Sequence, residues 1–268
     1  IPYFHVVFTV PHQLNALFQA NMPLLLNLLL SSVRETLLAL CADPKFMGAM
    51  PGILEVLHTW GQKLNFHPHV HVCISGGGLT PSGQFVETGK KGFFLPEAAV
   101  ANAFRGRFLC SLKKLHDDGK LCFSGTGGLG TPEKWQAFID SLFGIRWLPF
   151  IKETFNGRGN AIRYLARYSY RTAVSNSRIV AVDGENVTFR YKDYADGSKE
   201  KLLTVPGEEF IGLFLQHVLP KGFSRTRYAG YLASCRKTKS LKLIHSLWNS
   251  VYNGNPRSEE HTSELQSL

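Results

Sequence analysis

The chain has 268 residues, 44% of them hydrophobic and 19% charged, enough to bury a sizeable core as one large domain or two small ones. A net charge of +10 with a pI near 9.4 points to a polyanionic partner, nucleic acid first and a membrane surface second. The five cysteines (Cys41, Cys73, Cys110, Cys122, Cys235) are odd in number and irregularly spaced, with no Cys-x-x-Cys pair, which argues against a disulfide framework and a zinc ribbon and fits a reducing cytoplasm.

The chain starts at Ile1 without Met and has no basic segment leading into an apolar one, so no signal peptide is expected and the start reads as the interior of a longer protein. Tyr3 to Val10 reads as a first strand, β-branched and aromatic, ended by Pro11. Residues from about Gln13 to Ala42 are Leu-rich at helical spacing, read as two helices broken at Pro23 and ended by Pro44. The apolar run Leu24 to Leu30 is too short to span a bilayer, and Asn27 interrupts it. Ile53 to Trp60 is ambiguous between strand and helix. As a strand it would pair, through a turn at Gly61–Asn65, with the stretch that follows.

That stretch is His67-Pro-His-Val-His-Val-Cys-Ile74, running into Gly76-Gly-Gly78. Side chains alternate faces along a strand. His67, His69 and His71 would share one face, and Val70, Val72 and Ile74 the other, toward a core. Three imidazoles on a rigid platform suit a divalent cation. The glycines would let the backbone turn away or approach a ligand. If Ile53–Trp60 is a strand, His58 lies across from His69 and competes with His67 as the third ligand.

Gly83 to Leu95 reads as a hairpin or loop tipped by Lys90 and Lys91, and Pro96 to Leu115 as a helix with a basic end. Gly125 to Gly130 matches no phosphate-binding glycine pattern. Pro132 to Phe143 reads as a short helix and Arg146 to Phe155 as a strand carrying Lys152. After the break at Asn156-Gly-Arg-Gly-Asn160, Ala161 to Ala173 reads as a helix. On it Tyr164 and Tyr168 lie one turn apart on one face, with Arg163, Arg167 and Arg171 as candidate phosphate contacts and Tyr170 read as packing. Ser177 to Val205 is a run of strands turning at Asp183-Gly184 and Asp196-Gly197. Glu208 to Val218 is an amphipathic helix, Phe223 to Tyr231 is basic and aromatic, and the last helix runs from about Leu232 to Tyr252. Residues 257–268 are polar, carry one arginine against three glutamates, and read as translated sequencing-adapter DNA, set apart from the fold.

A tyrosine hydroxyl, with its pKa of about 10, is a weak nucleophile at neutral pH. Placed in line with a metal-polarised phosphodiester it can attack phosphorus and keep the energy of the cut bond in a phosphotyrosine. Two tyrosines a turn apart can alternate, one holding a DNA end while the other attacks a second strand. Flanking arginines would neutralise phosphate charge.

His69-Val-His71 resembles the His-hydrophobe-His motif of HUH single-strand endonucleases, and Tyr164-Leu-Ala-Arg-Tyr168 resembles the two-tyrosine motif of rolling-circle insertion-sequence transposases of the IS-ninety-one-like family, distantly related to Helitrons. Phe8-Thr-Val-Pro-His12, His58-Thr-Trp-Gly61, Val174-Ser-Asn-Ser-Arg178 and Gly222-Phe-Ser-Arg-Thr-Arg-Tyr-Ala-Gly230 are also similar to that family, and the likeness covers about residues 1 to 250. The resemblance implies an α+β fold: an antiparallel HUH-endonuclease sheet, an RRM- or ferredoxin-like palm with the histidine strand central, and helices packed on it. It implies that His69 and His71 ligate Mg²⁺ or Mn²⁺ with His58 or His67 as a further ligand, His58 slightly preferred. It implies Tyr164 and Tyr168 as nucleophiles that nick single-stranded DNA at the element's end, hold the 5′ phosphate covalently and pass the strand to a target.

The expected organisation is a catalytic domain over residues 1–180, a β-hairpin and helical extension of the same domain over 181–256, and the adapter-like tail. The expected partners are single-stranded insertion-sequence ends and target, with no membrane, in the bacterial cytoplasm at the nucleoid. The alternatives are a replication initiator or relaxase with the same chemistry, a hydrolytic metalloenzyme, and a non-catalytic basic nucleic-acid-binding module. The zinc-binding segment that usually precedes the catalytic domain in the family is absent from this sequence.

Overall fold

The computed structural model describes residues 1–88, 95–155 and 171–252. Its main sheet is antiparallel throughout and is built from β1 (Tyr3–Thr9), β2 (Met50–Trp60), β3 (Phe66–Leu79), β5 (Phe150–Phe155) and β9 (Thr226–Gly230), in the order β5-β1-β3-β2-β9. A short β4 (Phe85–Glu87) pairs with the end of β3. The histidine strand is thus central, as the resemblance implies. Among the described residues there are six α-helices, α1 (Asn15–Ala20), α2 (Met22–Ala42), α3 (Glu97–Asp117), α4 (Pro132–Gly144), α5 (Gly207–Leu215) and α6 (Lys237–Tyr252). The whole is α+β, consistent with the HUH-endonuclease fold.

Alternation on the central strands decides which face does what. Val70, Val72 and Ile74 of β3 and Val6 and Phe8 of β1 are fully buried, in one core with Leu25, Leu29 and Val33 of α2, Phe104 and Phe108 of α3, and Ile139 of α4. Burying Val70, Val72 and Ile74 stabilises this register by roughly 5–9 kcal/mol. A one-residue slip would exchange those side chains for imidazoles, so the packing that closes one face holds the histidines on the other.

The run Leu24–Leu30 belongs to a longer helix, α2, which by length and composition alone would be enough to cross a membrane. Its Leu25, Leu26, Leu29, Leu30, Val33 and Leu37 are instead fully buried in the core. The break before it falls at Asn21, whose side-chain amide donates to the carbonyls of Leu17 (3.0 Å) and Cys122 (2.7 Å). Pro23 sits in the first turn of α2, where its missing N–H costs nothing.

Three other boundaries differ from expectation. Residues 146–149 are not strand, because Trp147 is buried against Phe104 and Phe108, with its indole N–H donating to the Leu142 carbonyl at 3.1 Å. The last helix starts at Lys237, after a series of turns over 231–236. Arg171, Thr172 and Ala173 are not helical; the remainder of that expected helix, Lys90 and Lys91, and the tail lie outside the described residues. The glycines of β3 serve the neighbouring strand: a Cβ at Gly78 would lie 2.5 Å from the Met50 carbonyl oxygen.

β6 (Ile179–Val182), β7 (Asn186–Asp193) and β8 (Lys199–Pro206) form a second antiparallel sheet. Phe189 and Val205 from it pack with Leu64 of the β2–β3 turn, Ala173, and Phe210 of α5. This seats the second sheet and α5 beside the histidine end of β2 and β3.

Candidate metal centre

β2 is a strand, and its register puts His58 opposite His69. Successive buried residues, Ile53 to Thr59, leave it no polar face to advertise. Directly across β3 on the other side, β1 places Thr9 opposite His69 and Val7 opposite His71. His58, His69 and His71 each offer a ring nitrogen, and these nitrogens lie within 4.8 Å of one another. His58 is buried, and His69 and His71 are half-buried. His67 is not in this trio. Its ring sits 5.2 Å from that of His69, and its contribution is backbone.

The ring orientations are held from behind. His69 Nδ1 donates to the His67 carbonyl at 2.7 Å. A carbonyl only accepts, so the proton of neutral His69 is on Nδ1 and its Nε2 carries the lone pair. His71 Nδ1 is 2.9 Å from Nε2 of His5, with the two rings stacked 5.2 Å apart. For His71 to ligate through its other nitrogen, Nδ1 must donate and His5 Nε2 must accept. His58 lies against Trp60, ring centres 4.5 Å apart and planes within 19°.

His5, His67, His69 and His71 all favour the neutral form. Burial lowers His69 to about 3, aided by His58, His67 and Arg171 and opposed by the bond to the His67 carbonyl. Burial, then His69, His58, His5 and Arg171, pushes His71 far below the ordinary histidine value. Burial lowers His5 to about 4 and also depresses His67. A neutral imidazole has an unprotonated ring nitrogen whose lone pair a cation can take without displacing a proton.

The trio opens into a cleft of about 530 Å³ walled by Thr9, Trp60, Arg171, Arg178 and Tyr194, and none of its described lining residues is acidic. Arg171 is exposed in the cleft, and its carbonyl accepts from Arg225 Nη1 at 3.1 Å. Arg178 donates to the carbonyls of Ala173 (3.1 Å), Arg190 (2.8 Å) and Gln62, tying the 171–178 segment to the β2–β3 turn and to β7. Lys152 is exposed on β5 opposite His5, and so stands on the histidine face at the edge of the sheet. Tyr164, Tyr168, Arg163 and Arg167 lie outside the described residues.

Sequence reasoning missed His5 and Arg178 as parts of the site. His5 shares its face with Val7 and Thr9, so that face could have been read once β1 was paired with β3. Arg178 lay in a stretch that carries the family resemblance, but its tie to the Gln62 carbonyl, 116 residues away, has no local signal.

Fold and cleft together define a class: an α+β protein whose central antiparallel strands present a histidine trio on the face opposite the helices, among basic groups. Residues 52–239 match the family model described as "Putative transposase", and the chain belongs to that transposase family. It is 42% identical over 246 residues to "Putative transposase y4qJ" of Sinorhizobium fredii, covering 91% of this chain and 62% of that protein. It is 31% identical over 248 residues to the "Transposase for insertion sequence element IS801" of Pseudomonas savastanoi pv. phaseolicola, covering 87% of this chain and 55% of that one. The chain therefore spans less than two thirds of either relative. No solved structure matches it.

Proposed function

We propose that this chain is the catalytic part of a metal-dependent single-strand DNA transposase that works through phosphotyrosine. The observation that carries the reading is the convergence of His58, His69 and His71 in a basic cleft, in a member of a transposase family. The donor set fits a divalent ion: three imidazoles, of which His69 and His71 are held neutral and oriented by hydrogen bonds to the far ring nitrogen. Of the two expected ions, Mn²⁺ suits imidazole better than Mg²⁺, which demands oxygen ligands. When bound, the ion supplies polarisation of the scissile phosphate and a counter-charge for its oxygens.

The protein's own groups do the rest. Tyr164 or Tyr168 attacks phosphorus through its phenol oxygen. The new bond joins that oxygen to phosphorus, the bond to the 3′ oxygen breaks, and the phenol proton is lost to solvent while the 3′ oxygen takes one up. Arg171, Lys152, Arg163 and Arg167 bind the flanking phosphates and hold the strand in line. The second tyrosine then accepts the next strand, so that an insertion-sequence end moves to its target by a rolling-circle route. Residues 181–256 act as an extension of the catalytic domain, which agrees with β9 completing the edge of the main sheet. The work is done in the cytoplasm, on the nucleoid.

The test is a labelled single-stranded oligonucleotide carrying the element's end, incubated with Mn²⁺. A covalent adduct that resists denaturation is expected, lost with EDTA and lost in the Tyr164→Phe/Tyr168→Phe double variant. An adduct that survives the double variant refutes the nucleophile assignment. Salt-sensitive binding with no cleavage and no effect of EDTA would instead fit a non-catalytic nucleic-acid-binding module.

A further inference from the structure

A second cleft, of about 470 Å³, adjoins the histidine cleft. Trp60, Thr172 and Ala173 line both. The indole of Trp60 is also the ring stacked on His58, so one aromatic side chain belongs to the second cleft and touches a member of the metal trio. We propose that this cleft seats one unstacked base of the single-stranded DNA whose phosphate lies at the trio, and so sets which phosphodiester is presented. The proposal rests on the reading of the trio given above.

Three observations argue for a base rather than another occupant. The walls are aromatic and apolar, from Trp60, Phe210, Phe214 and Val218, and Phe214 and Val218 remain 42% and 56% exposed. Such a surface beside a phosphate-binding cleft matches the one feature common to every nucleobase, a flat π face. The lining is also basic and polar: it includes Arg225 and Asn176, and an asparagine side chain carries both the donor and the acceptor a base edge needs. A purely apolar ligand would use neither.

One lining residue is also held in place in advance. His217 is 8% exposed, its Nε2 donates to the Leu64 carbonyl at 2.9 Å, and its Nδ1 accepts from the Thr59 hydroxyl at 3.2 Å. Both ring nitrogens are thereby occupied, and the residue pins the chain after α5 to the β2–β3 turn. A pocket built before binding avoids the ordering cost that a flexible one incurs.

Phe214 is the handle for a test, since it is exposed and its truncation leaves the core intact. Affinity of the 268-residue chain for the element-end oligonucleotide would be measured by fluorescence anisotropy, with an abasic site walked along the strand. Phe214→Ala should weaken binding about 5- to 100-fold. Phe214→Tyr, which keeps the ring face, should restore it. One abasic position should give a similar loss, and there Phe214→Ala should add nothing. Equal affinities for wild type and Phe214→Ala, or a loss that is the same at every abasic position, overturns the proposal. A variant that melts differently but binds DNA unchanged would point to an apolar occupant or a segment of this chain, and overturns it too. The outcomes separate from those of the underlying reading: a flat abasic walk with a persistent Tyr-dependent adduct removes only the base seat, whereas a wild-type chain that binds no single-stranded DNA removes both.

Discussion

Glu55 gives the sharpest prediction about stability. It lies on β2 between Leu54 and Val56, is fully buried, and neither carboxylate oxygen has a hydrogen-bond partner among the described residues. Arg34 Nη1 stands 4.0 Å away, too far for a hydrogen bond. Burial raises the carboxyl from 4.5 to about 8, against the pull of Arg34 and Arg227 in the other direction. The folded protein therefore keeps a proton that the unfolded chain releases. The stability this group contributes is complete below pH 4.5 and is lost as pH rises toward 8. At about 1.36 kcal/mol for each pH unit of difference, the loss is on the order of 5 kcal/mol. Glu55→Gln keeps the shape and removes the titration. Urea unfolding of both proteins at mildly acidic and mildly alkaline pH should show the wild type losing several kcal/mol more than the variant as pH rises. Parallel profiles would refute the reasoning. So would a variant less stable than wild type by about 3–5 kcal/mol at the alkaline end, the signature of an ionised Glu55 paired with Arg34.

Three further outcomes are expected. His5→Ala removes the group behind His71 Nδ1 and should lower Mn²⁺ affinity about 10- to 100-fold, read by calorimetry, with an unchanged far-ultraviolet circular dichroism spectrum. Arg171→Ala should weaken single-stranded DNA binding without regard to sequence and reduce the slope of log affinity against log salt by about 0.7. Gly52→Ala should destabilise the fold by about 1–3 kcal/mol in chemical unfolding, because its Cβ would meet the buried Tyr231 ring at 2.5 Å.

The parts of the fold legible in the sequence were those with a one-sided environment. β3 alternates imidazole and β-branched side chains because one face is core and the other is cleft, so its register was readable from His67 to Ile74. β2 was not, since Ile53 to Thr59 are buried on both faces, so Glu55, His58 and Thr59 fall among apolar residues with no alternation to tell strand from helix. The placement of His58 opposite His69 followed only once the strand was granted. β9 carries Thr226, Arg227 and Tyr228 and gives no alternating signal; it is a strand because the edge of β2 accepts it. His217 and Arg178 act on carbonyls more than a hundred residues away, at Leu64 and Gln62, which no local pattern encodes. Trp147 pulled residues 146–149 out of the expected strand through contacts with α3, again a tertiary effect.

The central claim is that His58, His69 and His71 jointly hold one divalent ion in the cleft. Electron paramagnetic resonance of Mn²⁺ titrated into the chain, with pulsed detection of coupled nitrogen, tests it directly. One tightly bound ion per chain with imidazole nitrogen coupling is expected, with binding weakened by His58→Ala, His69→Ala or His71→Ala and retained in His67→Ala. Mn²⁺ that stays fully hydrated in the wild type, or binding that depends on His67 and ignores His58, would contradict it.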